Sequence, residues 1–150
     1  MSTDERVTKD LIETLEDGKD GFSRAAERLD ESDRSDLATT FRDFSGQRAQ
    51  FSDELRGMAA NYGDRIDEDG SVAAKIHRGW MAVKDALSSS DAKGVLDAAE
   101  QGEDHAVAEY KRALGNDDLS GELRTVVQRQ SVAVKQAHDT VRSLRDQVAA

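Results

Sequence analysis

Between Thr3 and Asp30, apolar or small residues fall at Val7, Leu11, Leu15, Gly18, Phe22, Ala25 and Leu29. Steps of three or four draw one stripe down a helix. Ser2, followed three residues later by Glu5, fits a capping box at its start. A second helix is predicted over 33–62, with Leu37, Phe41, Phe44, Phe51, Leu55, Met58 and Tyr62 on its stripe. Either Gln47 or Arg48 fills the slot between Phe44 and Phe51, and Gly63 is placed to close the helix as a C-cap. Asp64 to Gly70 is a polar break.

A shorter helix over 71–87 carries Val72, Ile76, Trp80, Val83 and Leu87. The serines at 88–90 form a loop, with Asp91 supplying the cap for a helix over 92–114. That helix has Leu96, Ala99, Glu103, Val107, Tyr110 and Leu114 along one side. A turn at 115–121 leads to the last helix, 122–149, whose stripe is Leu123, Val127, Gln130, Val134, Ala137, Val141, Leu144 and Val148. This is a heptad-like seam with one polar slot. No strand pattern is present.

Four long helices and one short one predict an all-α fold in a single domain, 1–150. Short turns near 31 and 118 make antiparallel hairpins of the first two and the last two long helices. The stretch from 64 to 91 is long enough to cross the whole assembly. The expected architecture is a ferritin-like antiparallel four-helix bundle, with a short extra helix in the crossover between helices 2 and 3. A plain up-down bundle is the alternative.

Composition narrows the function classes. The chain has 31 acidic and 21 basic residues, a net charge of −10, and no cluster of Lys and Arg. No nucleic acid and no anionic membrane surface is therefore expected as a partner. Nothing approaches an apolar run long enough for a membrane span. The polar start predicts no signal peptide, which makes the cytoplasm the expected location. The absence of cysteine removes disulfides and thiolate chemistry. The absence of proline suits long, unbroken helices.

Several stretches read alike to a known family: LIETLEDGKDGFSRAAE at 11–27, QRAQFSDEL at 47–55, GSVAAKIHRGWMAVKDAL at 70–87, EQGEDHAVAEYKRAL at 100–114 and VVQRQSVAVKQAHDTVRSLRDQ at 126–147. In these the chain resembles a bacterial ferritin-like four-helix-bundle family of uncharacterised function. The resemblance implies the fold and little chemistry.

Ferritin-like di-metal centres take a Glu from each of two helices and a Glu-x-x-His from the other two. In that spacing carboxylate and imidazole share one helix face. Here the second helix offers Gln47 and Gln50, amides where an acid and an imidazole are wanted. The third offers Glu103 on its stripe, with Glu100 one turn earlier. The fourth has His138, but Lys135 stands where its carboxylate partner belongs. In the first helix Gly18 holds the mid-length position, and neither Asp17 nor Glu13 is expected to point inward. Glu103, Glu100, His138, Gln47 and Gln50 are thus the candidate metal ligands, with at most two of six positions in pattern. No catalytic or cofactor-binding residue is identified. No cofactor is expected, with iron or another divalent metal as the alternative.

Structural roles weigh more heavily for most of these residues. Gln130, Gln47 and Glu103 are expected to form a hydrogen-bonded polar layer that fixes helix register. His138 is expected to be a capped or partly exposed helix residue, and His105 a member of a surface ion pair with Glu109. Trp80 is expected to clamp the crossover, with His77 bonding backbone nearby; a ligand pocket there is the lesser alternative. Glycines inside helices, such as Gly18, Gly46 and Gly57, each cost up to about 1 kcal/mol against Ala, and suggest close helix approach, with room for a ligand or a bend as the alternative. There is no phosphate-cradling glycine motif, and the serines have no activating constellation. A second apolar edge at Ile12, Ala26, Val126 and Val132 leaves room for a homodimer. The expected function is non-enzymatic, structural or interaction-based and stress-associated, with an unidentified protein or a second copy as partner. The alternative is a metal-binding or redox protein around Glu103 and His138.

Overall fold

The computed structural model describes residues 2–60 and 91–149. The helix expected over 71–87, with His77 and Trp80, the break at 64–70 and the cap at Gly63 lie outside the described residues. Four long helices make up the rest: α1 (Thr3–Glu31), α2 (Ser35–Ala59), α3 (Ala92–Leu114) and α4 (Gly121–Ala149). Among the described residues there is no strand, and no helix is long and apolar enough to cross a membrane.

Local chemistry sets the helix ends. Ser2 Oγ accepts from the Glu5 amide at 3.1 Å, the first half of the expected capping box. At the other end of α1, Asp33 N–H donates to the Asp30 carbonyl and Arg34 N–H to that of Leu29. This is a Schellman closure, and Asp33 takes the left-handed conformation it requires, φ 59°. Aspartate tolerates that conformation where most residues do not. Because Asp33 is used in closing α1, α2 begins at Ser35 and not at the expected 33. Asp91 caps α3, its side chain accepting from the Lys93 amide. Ser120 Oγ accepts from the Leu123 amide at the start of α4.

Cross-helix contacts fix the directions. Along α1 and α2, Asp30 pairs with Arg42, the Lys19 carbonyl with Ser45, and Glu16 with Arg56, so the two run antiparallel. Tyr110 with Gln130 and Glu100 with Arg142 do the same for α3 and α4. Asp4 accepts from the Ser120 amide just beyond α3, while Phe22 and Leu29 share a cluster with Val95 and Leu96. Hence α1 opposes α3, and α2 runs parallel to α3. The end of α2 and the start of α3 lie at opposite ends of the molecule. The main packing pairs are α1 with α2, α3 with α4, and α1 with α3.

Two apolar clusters form the core. One gathers Val7, Leu11, Leu15, Leu55, Tyr110, Leu123 and Val127 among others. The other is built around Phe22, Leu29, Phe41, Leu96 and Val141. α1 is buried over a much wider arc than its stripe alone, because Ile12 and Ala26 are also fully buried. They belong to the core and not to a free edge; Val126 packs against the core, and only Val132 of that expected edge stays open to solvent. Glu13 and Asp17 are buried as well, against the expectation for both. On α3, small residues (Ala98, Gly102, Ala106 and Ala113) widen the buried face, while Val107 and Leu114 are half-buried.

Gly46 and Gly57 have nothing within 4 Å of where a Cβ would sit, so close approach does not explain them. Replacing each with alanine is expected to raise stability by about 0.5–1 kcal/mol through backbone entropy and helix propensity. A rise in the urea midpoint without a change in slope would show it, and an unchanged or lower midpoint would refute it.

Candidate functional site

Between the two apolar clusters lies a charged layer. Arg48 of α2 and Glu103 of α3 are 1 % and 0 % exposed. Arg48 Nη2 is 2.8 Å from Glu103 Oε1 and donates to Oε2 at 2.9 Å. The pair reaches across the core between two helices that make no substantial backbone contact. Burial pushes the Glu103 carboxyl above the usual carboxylate range, while Arg48, and more weakly His138, pull it back.

Neighbouring residues shape this pocket for a guanidinium. The Arg48 head group lies over the Phe22 ring, 5.2 Å from its centroid, in cation–π contact. Phe22 is itself held edge-on against Phe41, centroids 5.2 Å apart, and tilted against Phe44. Gly18 supplies the space: a Cβ there would sit 3.1 Å from Arg48 Nη1 and 3.6 Å from its Cγ. The mid-length glycine of α1 therefore makes room for a side chain of this same chain. Arg48 Nε has no hydrogen-bond partner, so the layer is charged but not fully satisfied.

A second polar group lies one to two turns away. Tyr110 donates its hydroxyl to Gln130 Oε1 at 2.7 Å, and Gln130 Nε2 donates to Glu54 Oε1 at 2.8 Å and to the Phe51 carbonyl at 3.3 Å. Burial pushes the Tyr110 hydroxyl far above its ordinary range, which keeps it a donor. Glu54 also pairs with Arg129; burial pushes its carboxyl up, but Arg129 and Gln130 outweigh this and hold it low. A glutamine that uses its oxygen once and its nitrogen twice ties α2, α3 and α4 into one register.

Nearer the surface, Glu100 and Asp104 of α3 meet His138 of α4. One possible ligand atom from each lies within 4.8 Å of the others. His138 Nε2 is 2.6 Å from Asp104 Oδ1, and Nδ1 is 3.1 Å from Asp139 Oδ1. Asp139 is held by Lys135 at 2.7 Å. These contacts, from Lys135 first and His138 second, draw its carboxyl below the usual range. Glu100 is met by Arg142 at 3.2 Å and by Arg145.

The expected residues are thus divided between two places. Glu103 is sealed with Arg48, while Glu100 and His138 come together with Asp104 off the central axis. Gln50 is exposed, and Gln47 is half-buried with no hydrogen bond to its Oε1. The expected layer of Gln130, Gln47 and Glu103 is replaced by two separate ones, Arg48 with Glu103 and Gln130 with Tyr110. His138 is 5 % exposed, not a partly exposed helix residue. Glu109 pairs with Arg112 and Asp104 with His138. Asp104 was legible only as the i+4 neighbour of Glu100, a spacing that places both on one face.

The residues at the centre do not fit a di-metal group: the Glu103 carboxylate is taken by an internal guanidinium, and Gly18 makes room for that guanidinium. Fold and site together define an all-α protein of two helical hairpins whose core is closed by a buried salt bridge. A family model described as a domain of unknown function (DUF2383) matches residues 5–116, and the chain belongs to that family. The match takes in Gly18, Arg48, Glu100, Glu103 and Asp104. No curated protein matches the chain.

Proposed function

We propose that the chain is a ferritin-like antiparallel four-helix bundle of bacterial type that works without a metal in its centre. In this reading it is a non-enzymatic structural or interaction protein of the cytoplasm, whose partner is another protein or a second copy. The parallel course of α2 and α3 supports ferritin-like connectivity over the plain up-down arrangement. The net charge of −10 favours a protein over a nucleic acid. The observation that carries the reading is Arg48: a guanidinium paired with Glu103 supplies from within the positive charge that a ferritin-like centre takes from metal ions. Against the redox alternative, Glu103 and His138 are drawn to different partners.

Ferrous iron offered to the tag-free protein in air is expected to oxidise no faster than in buffer. A stoichiometric oxidation step that disappears in Glu103→Ala, with helix content retained, would overturn the proposal.

A further inference from the structure

Outside the central layer, Glu100, Asp104 and His138 form the one group of metal-ligating side chains among the described residues. Two rigid helices hold them. Glu100 and Asp104 stand one turn apart on α3, and His138 faces them across the seam from α4. The arrangement around the imidazole is the informative part. Its Nδ1 is engaged by the Asp139 carboxylate, which Lys135 steadies in turn. Metal-bound histidines are oriented this way, with one ring nitrogen held by a carboxylate so that the other presents its lone pair to the ion. Here the other nitrogen, Nε2, faces the Asp104 carboxylate at 2.6 Å, with Glu100 beside it. Lone pairs at that distance repel unless a proton or a cation lies between them.

Glu100 adds a second pointer. Its carboxylate is turned in against the seam with Oε2 shut off from solvent, Arg145 paired with Oε2 and Arg142 with Oε1. A carboxylate placed against the seam, an imidazole already oriented and a second, more exposed carboxylate make up a mixed N and O donor set. Asp104 is 58 % exposed, so its rotation can tighten the group to metal–ligand bonds of about 2.0–2.2 Å.

We propose that Glu100, Asp104 and His138 form a mononuclear site for a divalent transition-metal ion at the α3–α4 seam, open to solvent on the Asp104 side. The imidazole selects zinc, cobalt or nickel over magnesium and calcium, which prefer oxygen alone. An ion here is bridged to Asp139 through His138 and exchanges against the Arg142 and Arg145 contacts to Glu100. The site pins the outer seam of the second hairpin, and it stands independently of the metal-free centre proposed above.

Tag-free protein titrated with Co2+, followed by its visible absorption and by calorimetry, is expected to bind one equivalent per chain, displaced by Zn2+ and not by excess Mg2+. His138→Ala and Asp104→Asn are each expected to weaken binding at least about tenfold, and Asp139→Asn by about 10–100-fold through the lost orientation of the ring. Asp104 is exposed, so its variant should keep its helical circular dichroism and isolate the ligand role. Glu103→Gln is expected to leave cobalt affinity unchanged. The absence of saturable binding would overturn the site, and so would binding indifferent to Asp104→Asn and His138→Ala. Binding lost in Glu103→Gln but kept in Asp104→Asn would move the metal to the centre, overturning both this site and the metal-free reading of the core.

Discussion

Replacing Glu103 by leucine is expected to cost the folded state about 3–5 kcal/mol, because it strands the Arg48 guanidinium without its counter-charge in a dry core. That is a large share of the roughly 5–15 kcal/mol by which a domain is ordinarily stable. The informative companion is Arg48→Met with Glu103→Leu, which removes both charges and fills the layer with apolar atoms. It is expected to recover most of the loss, since a buried pair repays little more than its own desolvation. The bare Arg48 Nε strengthens that expectation: an unsatisfied donor is a cost the wild type already carries. Urea denaturation of the two single variants and the double variant would measure it. A double variant as unstable as the worse single one would mean that the pair is a net stabiliser, and not a replacement that the fold tolerates.

Phe22→Ala should be similarly damaging, at about 3–5 kcal/mol, for a different reason. Phe22 is fully buried, meets Phe41 edge-on, touches Phe44, and forms the floor under Arg48. Truncation opens a cavity among large rings that cannot collapse toward each other. It also removes the π face that helps offset the desolvation of the guanidinium, a contact worth about 2 kcal/mol when dry. Phe22→Leu keeps most of the volume and loses the face, so it should fall between wild type and alanine. Combined with Arg48→Met, the effects of Phe22→Leu should be less than additive, since the two residues share one contact. Strict additivity would show that Phe22 acts by volume alone.

The helices were legible because burial imposes a 3.6-residue period on the chain, and that period survives in the residues themselves. Nearly every stripe position assigned on α1, α2 and α4 is buried or half-buried, including the polar slot at Gln130. Boundaries were less legible where a residue is spent on its neighbour: α2 starts late because Asp33 closes α1. The slot between Phe44 and Phe51 could not be assigned to Gln47 or Arg48 from spacing, since both lie on the correct side of the helix. Gly18 on another helix decides between them, by leaving room for a guanidinium.

The candidate site divides along the same line. That Glu103, Gln130 and Gly18 sit on inward faces follows from local periodicity, which depends only on residues a turn or two apart. Which of them meet does not, because a partner is chosen by the direction, stagger and rotation of helices far apart in sequence. Periodicity sets each helix's buried side to within about a third of a turn, and α3 uses a wider arc than its stripe. That residual freedom separates a di-metal arrangement from the observed one, with Glu103 sealed against Arg48 and Glu100 joined to Asp104 and His138 at the rim. Helical character, length and facing are local properties carried by the sequence pattern. The placing of charge against charge is a property of packing, settled when the hairpins close around a core too dry to leave Arg48 unpaired.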